Sequence, residues 1–291
     1  MATKRKNRRG RARGTSRKER WPLALAGILV LTVMFAVAVR CRTVDHEPVP
    51  VTGAPSGALH YPRLEYARYT GPGHSSVVGK DYEGFTVSFN PSNSTPDWVG
   101  WELLREEVSD EVSRSDQFWQ DASVPGCPST YDYKGSGYDR GHLCPAADQK
   151  WSAKAMSDCF VMTNMTPQTH ALNAGAWNTL ENKERQWAQR DSAIVIVAGP
   201  IYTDADQKRI GDTGVRVPSA FFKVLLAPYV EEPRAIGFVY PNASAPGNME
   251  QYVMNVDEIE ELTGLDFFSG LPDEIEERVE SRASFRDWNA K

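Results

Sequence analysis

Arg140 and His142 stand two residues apart in the run Tyr138-Asp139-Arg140-Gly141-His142-Leu143-Cys144-Pro145-Ala146-Ala147-Asp148. In an extended segment, side chains at i and i+2 leave the same face. A guanidinium shaped to hold a phosphate is thereby set beside an imidazole that can accept a proton near neutral pH. Cation next to base is the pairing that phosphodiester chemistry requires. An Asp-Arg-Gly-His string also arises by chance, so its weight depends on the residues around it.

Those residues are informative. Asn164, Pro167, Gln168, Asn173, Trp177 and Glu181 follow in order, and Asn173, Trp177, Glu181 and Arg185 are each four apart. On a helix such a row keeps to one slowly drifting face. An amide oxygen, a carboxylate and a cation would then share one surface. Hard oxygen donors suit Mg²⁺, which keeps most of its waters and takes only one or two protein oxygens directly.

The two segments together resemble the DNA/RNA non-specific endonuclease family, the endonuclease G-like ββα-metal nucleases. The resemblance spans about residues 62 to 285 and is most specific from Tyr138 to Glu181, while Val256 to Pro272 looks like the family's closing helix and turn. It implies an α+β, ββα-metal nuclease fold with a mainly antiparallel central sheet flanked by helices. It further implies Mg²⁺-dependent hydrolysis of DNA and RNA, with Mn²⁺ as the substitute ion, little sequence preference and 5′-phosphate ends. The roles carried over are His142 as general base, Asn173 as direct metal ligand, and Glu181 as the carboxylate that holds the hydrated metal and belongs to the catalytic set. Arg140 and Arg185 would grip phosphate oxygens, Asp139 would orient the site, and Asn164 and Gln168 would add polar support on the substrate side. Plainer roles stand beside these: a structural histidine, a helix-capping Asn173, a solvated Glu181 paired with Arg185, surface ion pairs for the arginines. Trp177 reads as helix-to-sheet packing. His46, His60, His74 and His170 have no comparable setting.

The charge distribution bears on substrate. The chain of 291 residues carries a net −5, yet residues 1 to 20 hold ten Lys or Arg against one Glu, leaving 23 basic and 37 acidic residues beyond them. Lysine and arginine contacts to phosphate provide most non-specific affinity for nucleic acid, so an acidic domain argues against tight, processive binding. A local patch of Arg140, Lys150, Lys154, Lys183, Arg185 and Arg190 would have to suffice, giving weak, salt-sensitive association. The competing readings are a phosphodiesterase for short or non-nucleic substrates and an inactive nuclease-like binding module. The intact set of His142, Asn173 and Glu181 argues against the second.

Four segments follow from composition: a basic cytoplasmic tail at 1–20, a transmembrane signal anchor at 21–40, a proline-rich linker at 41–61, and the nuclease domain at 62–291. Trp21 to Val39 has no charged residue, close to the ~20 residues that span a bilayer as a helix. With the basic flank inside, the catalytic domain lies on the non-cytoplasmic side. Export after signal cleavage and a mitochondrial transit sequence are the alternatives. A homodimer is compatible with the sequence, which identifies no protein partner. Cys41, Cys127, Cys144 and Cys159 show no C-x-x-C spacing and hence no zinc site, and leave open one bridge among the last three or a set of buried thiols.

The elements that must position the site read as follows. Phe85 to Phe89 and Trp98 to Leu104 form a hairpin with a long turn, and Arg140 to Cys144 and Phe160 to Asn164 are short strands. A helix runs from about Ala174 to Arg190. Strands follow at Ala193 to Ala198, Ala220 to Leu226 and Ala235 to Tyr240, with closing helices at Val256 to Leu262 and Asp273 to Ser281. The order lacks βαβ alternation and indicates α+β.

Overall fold

Phe85, Val87 and Phe89 alternate with polar residues, and Val99, Trp101 and Leu103 do the same, so each strand has one face to bury. In the computed structural model the strands, in chain order, are β1 (Ala67–Tyr69), β2 (Val78–Tyr82), β3 (Phe85–Asn90), β4 (Thr95–Leu104), β5 (Asp139–His142), β6 (Met165–Gln168), β7 (Ala193–Ile201), β8 (Arg209–Ile210), β9 (Val215–Arg216), β10 (Ala220–Ala227), β11 (Arg234–Pro241), β12 (Val253–Met254) and β13 (Leu265–Phe267). The helices are α1 (Ala153–Asp158), α2 (Asn178–Asp191), α3 (Val256–Thr263), α4 (Asp273–Glu280) and α5 (Phe285–Asn289). The structure describes residues 65–70, 76–203 and 208–290. The tail, anchor and linker assigned to residues 1–61, and His46, His60 and His74, lie outside them. Among the described residues no helix is long and apolar enough to cross a membrane.

Seven strands form one sheet in the order β12-β11-β10-β7-β4-β3-β2, antiparallel at every pairing. Its two faces carry two cores. Along β10, Phe221 and Leu225 enter the core that also holds Trp177, Leu180 and Trp187. Phe222, Val224 and Leu226 enter the other, with Val256 and Ile259 of α3 and Val279 of α4. The alternation along β10 thus sends α2 to one face and α3 and α4 to the other. The segment β5–β6 is a separate antiparallel pair with Asp139 opposite Gln168 and His142 opposite Met165.

Three local expectations need correction. The first hairpin has a tight four-residue connection, because the ladder runs on to Asn90 and Thr95 through a bulge at Ser88/Phe89. The second site strand lies at Met165–Gln168 rather than 160–164: Met162–Asn164 is a 3₁₀ turn, held because the Asn164 amide bonds main-chain groups of Cys144 and Cys159. The site helix does not start cleanly at Ala174. Leu172–Trp177 is wound as a π-helix interrupted at Gly175, with φ −104° and ψ −110°. Cys127, Cys144 and Cys159 are buried free thiols, so the bridge does not form.

Candidate active site

Arg140 and His142 do share a face of β5. The Phe118 ring lies 4.9 Å from the Arg140 guanidinium and 5.7 Å from the His142 ring, and Phe160 packs edge-on to His142 at 4.9 Å. Arg140 donates to the Thr130 carbonyl at 2.8 Å, which fixes its reach while its Nε stays without a partner. His142 is buried, and its Nε2 has no hydrogen-bond partner. Burial, reinforced by the positive charge of Arg114, lowers the imidazole to about 3 against the opposing hydrogen bond with the Arg140 main chain. The ring is therefore neutral at physiological pH, the form that accepts a proton.

Close packing holds this pair in place. A Cβ on Gly141 would meet Cδ and Cγ of Gln168 at 2.4 Å. Gln168 is fully buried, and neither its amide nitrogen nor its amide oxygen has a partner. Gly141→Ala is expected to destabilise the protein by about 1–3 kcal/mol through overpacking and to cut turnover by displacing Arg140 and His142. Thermal unfolding with a single-turnover assay checks both; an unchanged melting temperature would contradict the packing.

Asp139 joins the strand to the turn that precedes α2. Its Oδ2 accepts from Asn173 Nδ2 at 2.9 Å and lies 2.8 Å from His170 Nδ1. With its NH₂ end tied, Asn173 keeps its oxygen as a donor to a cation. One turn on, the Trp177 indole donates to the His142 carbonyl at 3.3 Å. Strand and helix are thus stitched at both ends of the Arg140–His142 segment. His170 was not singled out from sequence; its place between Gln168 and Asn173 was the available signal.

Glu181 and Arg185 continue the row along α2, over a buried charge network. Asp148 is fully buried and accepts from Arg185 at 2.7 Å and from the Trp101 indole at 3.1 Å. Lys223 and Glu184 form an ion pair at 2.9 Å with neither side chain exposed, and the Lys223 ammonium sits 4.6 Å from the Trp177 ring. Burial pushes the Glu181 carboxyl up to about 7; Lys223 and Arg185 pull it down, Glu184 and Asp148 push it up. Burial likewise raises Asp148 and Glu184. A partly buried carboxylate crowded by two others suits a bound cation, so the donor types fit a hard divalent ion, which Asn173 and Glu181 would hold. Asp148, Glu184 and Lys223 were missed from sequence, although a lysine inside Phe221-Phe222-Lys223-Val224-Leu225-Leu226 is an overt anomaly.

Three candidates do not reach outward, the fully buried Gln168 among them. Asn164 is buried with both ends of its amide spent on main chain, and Arg185 is committed to Asp148 and Asn182. The basic patch is also largely neutralised: Lys150 pairs with Asp110, Lys154 with Asp158 and Arg190 with Asp191. Lys183 lies over Trp187 instead.

Comparison with known proteins agrees with this arrangement. Residues 63–274 match the family described as DNA/RNA non-specific endonuclease. The chain is 30% identical over 280 residues to a nuclease of Nostoc sp., covering 89% of this chain and 99% of that protein. It is 34% identical to the mitochondrial endonuclease G of Bos taurus over 76% of this chain and 77% of that one. A solved structure described as the EndoG/EndoGI complex, on the mechanism of EndoG inhibition, superimposes with a TM-score of 0.63 at 29% identity, covering 70% of this chain and 89% of its counterpart. The α+β architecture, the β5–β6 pair stitched to the helix that carries Glu181, and these matches lead to one conclusion: the chain belongs to the DNA/RNA non-specific endonuclease family of divalent-metal-dependent nucleases, hydrolases of phosphodiester bonds.

Proposed function

We propose that this protein is a Mg²⁺-dependent endonuclease that hydrolyses DNA and RNA with His142 as general base. The observation that carries the reading is the buried, unpartnered Nε2 of His142 beside Arg140, on a strand that Asp139 ties to Asn173. Water poised at Nε2 loses its proton to the ring as it attacks phosphorus, and the imidazolium that forms is stabilised by the phosphate charge it faces. Arg140 holds a non-bridging oxygen through its remaining N–H groups. Arg114, whose charge already acts on His142, adds to the positive field there. A divalent ion held by Asn173 and Glu181 would offset the charge that builds on the phosphate oxygens. Tyr131, 77% exposed, adjoins the Thr130 carbonyl that binds Arg140 and offers a ring for base stacking.

Incubating the full-length protein with plasmid, RNA and a small phosphodiester, with and without Mg²⁺, tests this. Cleavage of both polymers only with Mg²⁺ is expected, weakening as salt screens the contacts to phosphate. Cleavage of the small phosphodiester alone would establish the short-substrate reading instead.

The raised Glu181 carboxyl sets the acid limb of activity. Below about pH 7 a proton occupies the carboxylate that the cation needs. The two compete, so raising Mg²⁺ is expected to move the acid limb to lower pH. His142, neutral above about pH 3, does not set that limb. Rate profiles against pH at low and high Mg²⁺ check this; a limb independent of Mg²⁺ would remove Glu181 from the metal site.

For location, the charge asymmetry around residues 21–39 supports a non-cytoplasmic, anchored domain, while the relatives named as mitochondrial support the organelle alternative. Protease added to intact cells digests a C-terminal tag in the first case and leaves it protected in the second.

A further inference from the structure

On the sheet face opposite α2, helices α3 and α4 bring together Asp257, Glu260 and Glu280, with carboxylate oxygens within 4.8 Å of one another. Glu280 is only 5% exposed, and its Oε1 has no hydrogen-bond partner. Glu260 is held in position by accepting from the Phe267 amide at 2.7 Å. No Lys, Arg or His among the described residues pairs with any of the three. Arg68, on the strand paired with Leu265–Phe267, is spent on Asp266 at 2.7 Å. A buried carboxylate without a counter-charge is costly, and such a group pairs, binds a metal or takes up a proton. Burial and the carboxylates of Glu260 and Glu276 push Glu280 upward in the same direction.

We propose that Asp257, Glu260 and Glu280 bind one hard divalent cation, Ca²⁺ in preference to Mg²⁺, which clamps α3 to α4. Ligand oxygens around one Ca²⁺, each about 2.4 Å from the ion, stand up to about 5 Å apart, and this trio falls within that span. The donors are all oxygen, with no imidazole or thiolate, which selects a hard ion. Three carboxylates from two helices, with waters completing the shell, form an irregular set that Ca²⁺ tolerates and the octahedral Mg²⁺ does not. Asp257 is exposed and Glu280 is buried, so the site has a solvent-side entrance and an inner wall. Its position against the core of Val256, Ile259 and Val279 separates it from the catalytic cation on the other face, and its role is stability rather than chemistry.

The test uses full-length protein stripped of metal, with Asn173→Ala and Glu181→Gln in the background so that the catalytic donors are absent. Titration calorimetry with Ca²⁺ is expected to show one site in this background, and Ca²⁺ to raise its unfolding temperature by several degrees through preferential binding to the native state. Adding Glu280→Gln, which keeps the shape, or Asp257→Asn at the exposed rim, is expected to weaken that binding by about tenfold or more and to abolish the thermal shift. Glu280→Gln alone is expected to leave the Mg²⁺-supported nuclease rate unchanged. No binding in the background, or a thermal shift that survives both substitutions, would overturn the site. Mg²⁺ binding as tightly as Ca²⁺ would overturn the choice of ion.

Discussion

Replacing His142 with alanine is expected to lower kcat by about 10²–10⁴ while leaving nucleic-acid binding and the melting temperature close to wild type. The ring makes two aromatic contacts, with Phe118 and Phe160, but its Nε2 bonds nothing, so its removal deletes a proton acceptor and breaks no hydrogen bond at that atom. His142→Ala also relieves a stability cost. The buried ring stays neutral where the unfolded ring takes up a proton, so stability is lost as pH falls from about 6.5 toward about 3. Unfolding followed across that window is expected to be less pH-dependent in the variant. Retention of more than about a tenth of the wild-type rate would remove His142 as the base.

Lys223→Met is expected to be the most damaging single change to the frame beneath the proposed metal ligands. It strands the Glu184 carboxylate in a site where both side chains are fully buried, and breaking such a pair from one side costs about 3–5 kcal/mol. It also withdraws the charge that most lowers Glu181, so Glu181 holds its proton to higher pH and the cation binds more weakly at neutral pH. Lys223→Met with Glu184→Met together is expected to recover much of the stability, because an apolar pair of similar volume avoids the desolvation cost. Because Glu184 raises the Glu181 carboxyl where Lys223 lowers it, the double variant is also expected to bring the Mg²⁺ requirement back toward wild type. A single variant as stable as wild type would show that the pair contributes nothing to the fold.

The strand carrying Arg140 and His142 was legible because its pattern is local. Arg140 and His142 alternate across one glycine, and that spacing alone puts both against Phe118. The row Asn173, Trp177, Glu181 and Arg185 was legible as a helical face, but the break at Gly175, next to the turn where Asp139 binds Asn173 from another element, was not. Strands β7, β10 and β11 announced themselves as apolar runs. Strand β6 was misplaced because Val161 and Met162 are as apolar as Met165, and the Asn164 amide that turns the chain there bonds Cys144, twenty residues away. The charge network was hidden for the same reason. Asp148, Arg185, Glu184 and Lys223 meet only once α2 lies on the sheet; Asp148, Glu184 and Arg185 each read in isolation as an ordinary surface charge, and Lys223, anomalous in its apolar run, had no partner visible in the sequence.

The direct test of a hydrated cation held by Asn173 and Glu181, serving a reaction in which His142 takes the proton, is the Mg²⁺ concentration that half-saturates plasmid cleavage by the full-length protein. Asn173→Ala and Glu181→Gln are each expected to raise it by about 10–100-fold, with His142→Ala reducing the maximal rate at an unchanged half-saturation point. The same half-saturating Mg²⁺ in wild type and in both ligand variants would contradict it, and would place the cation elsewhere on the protein.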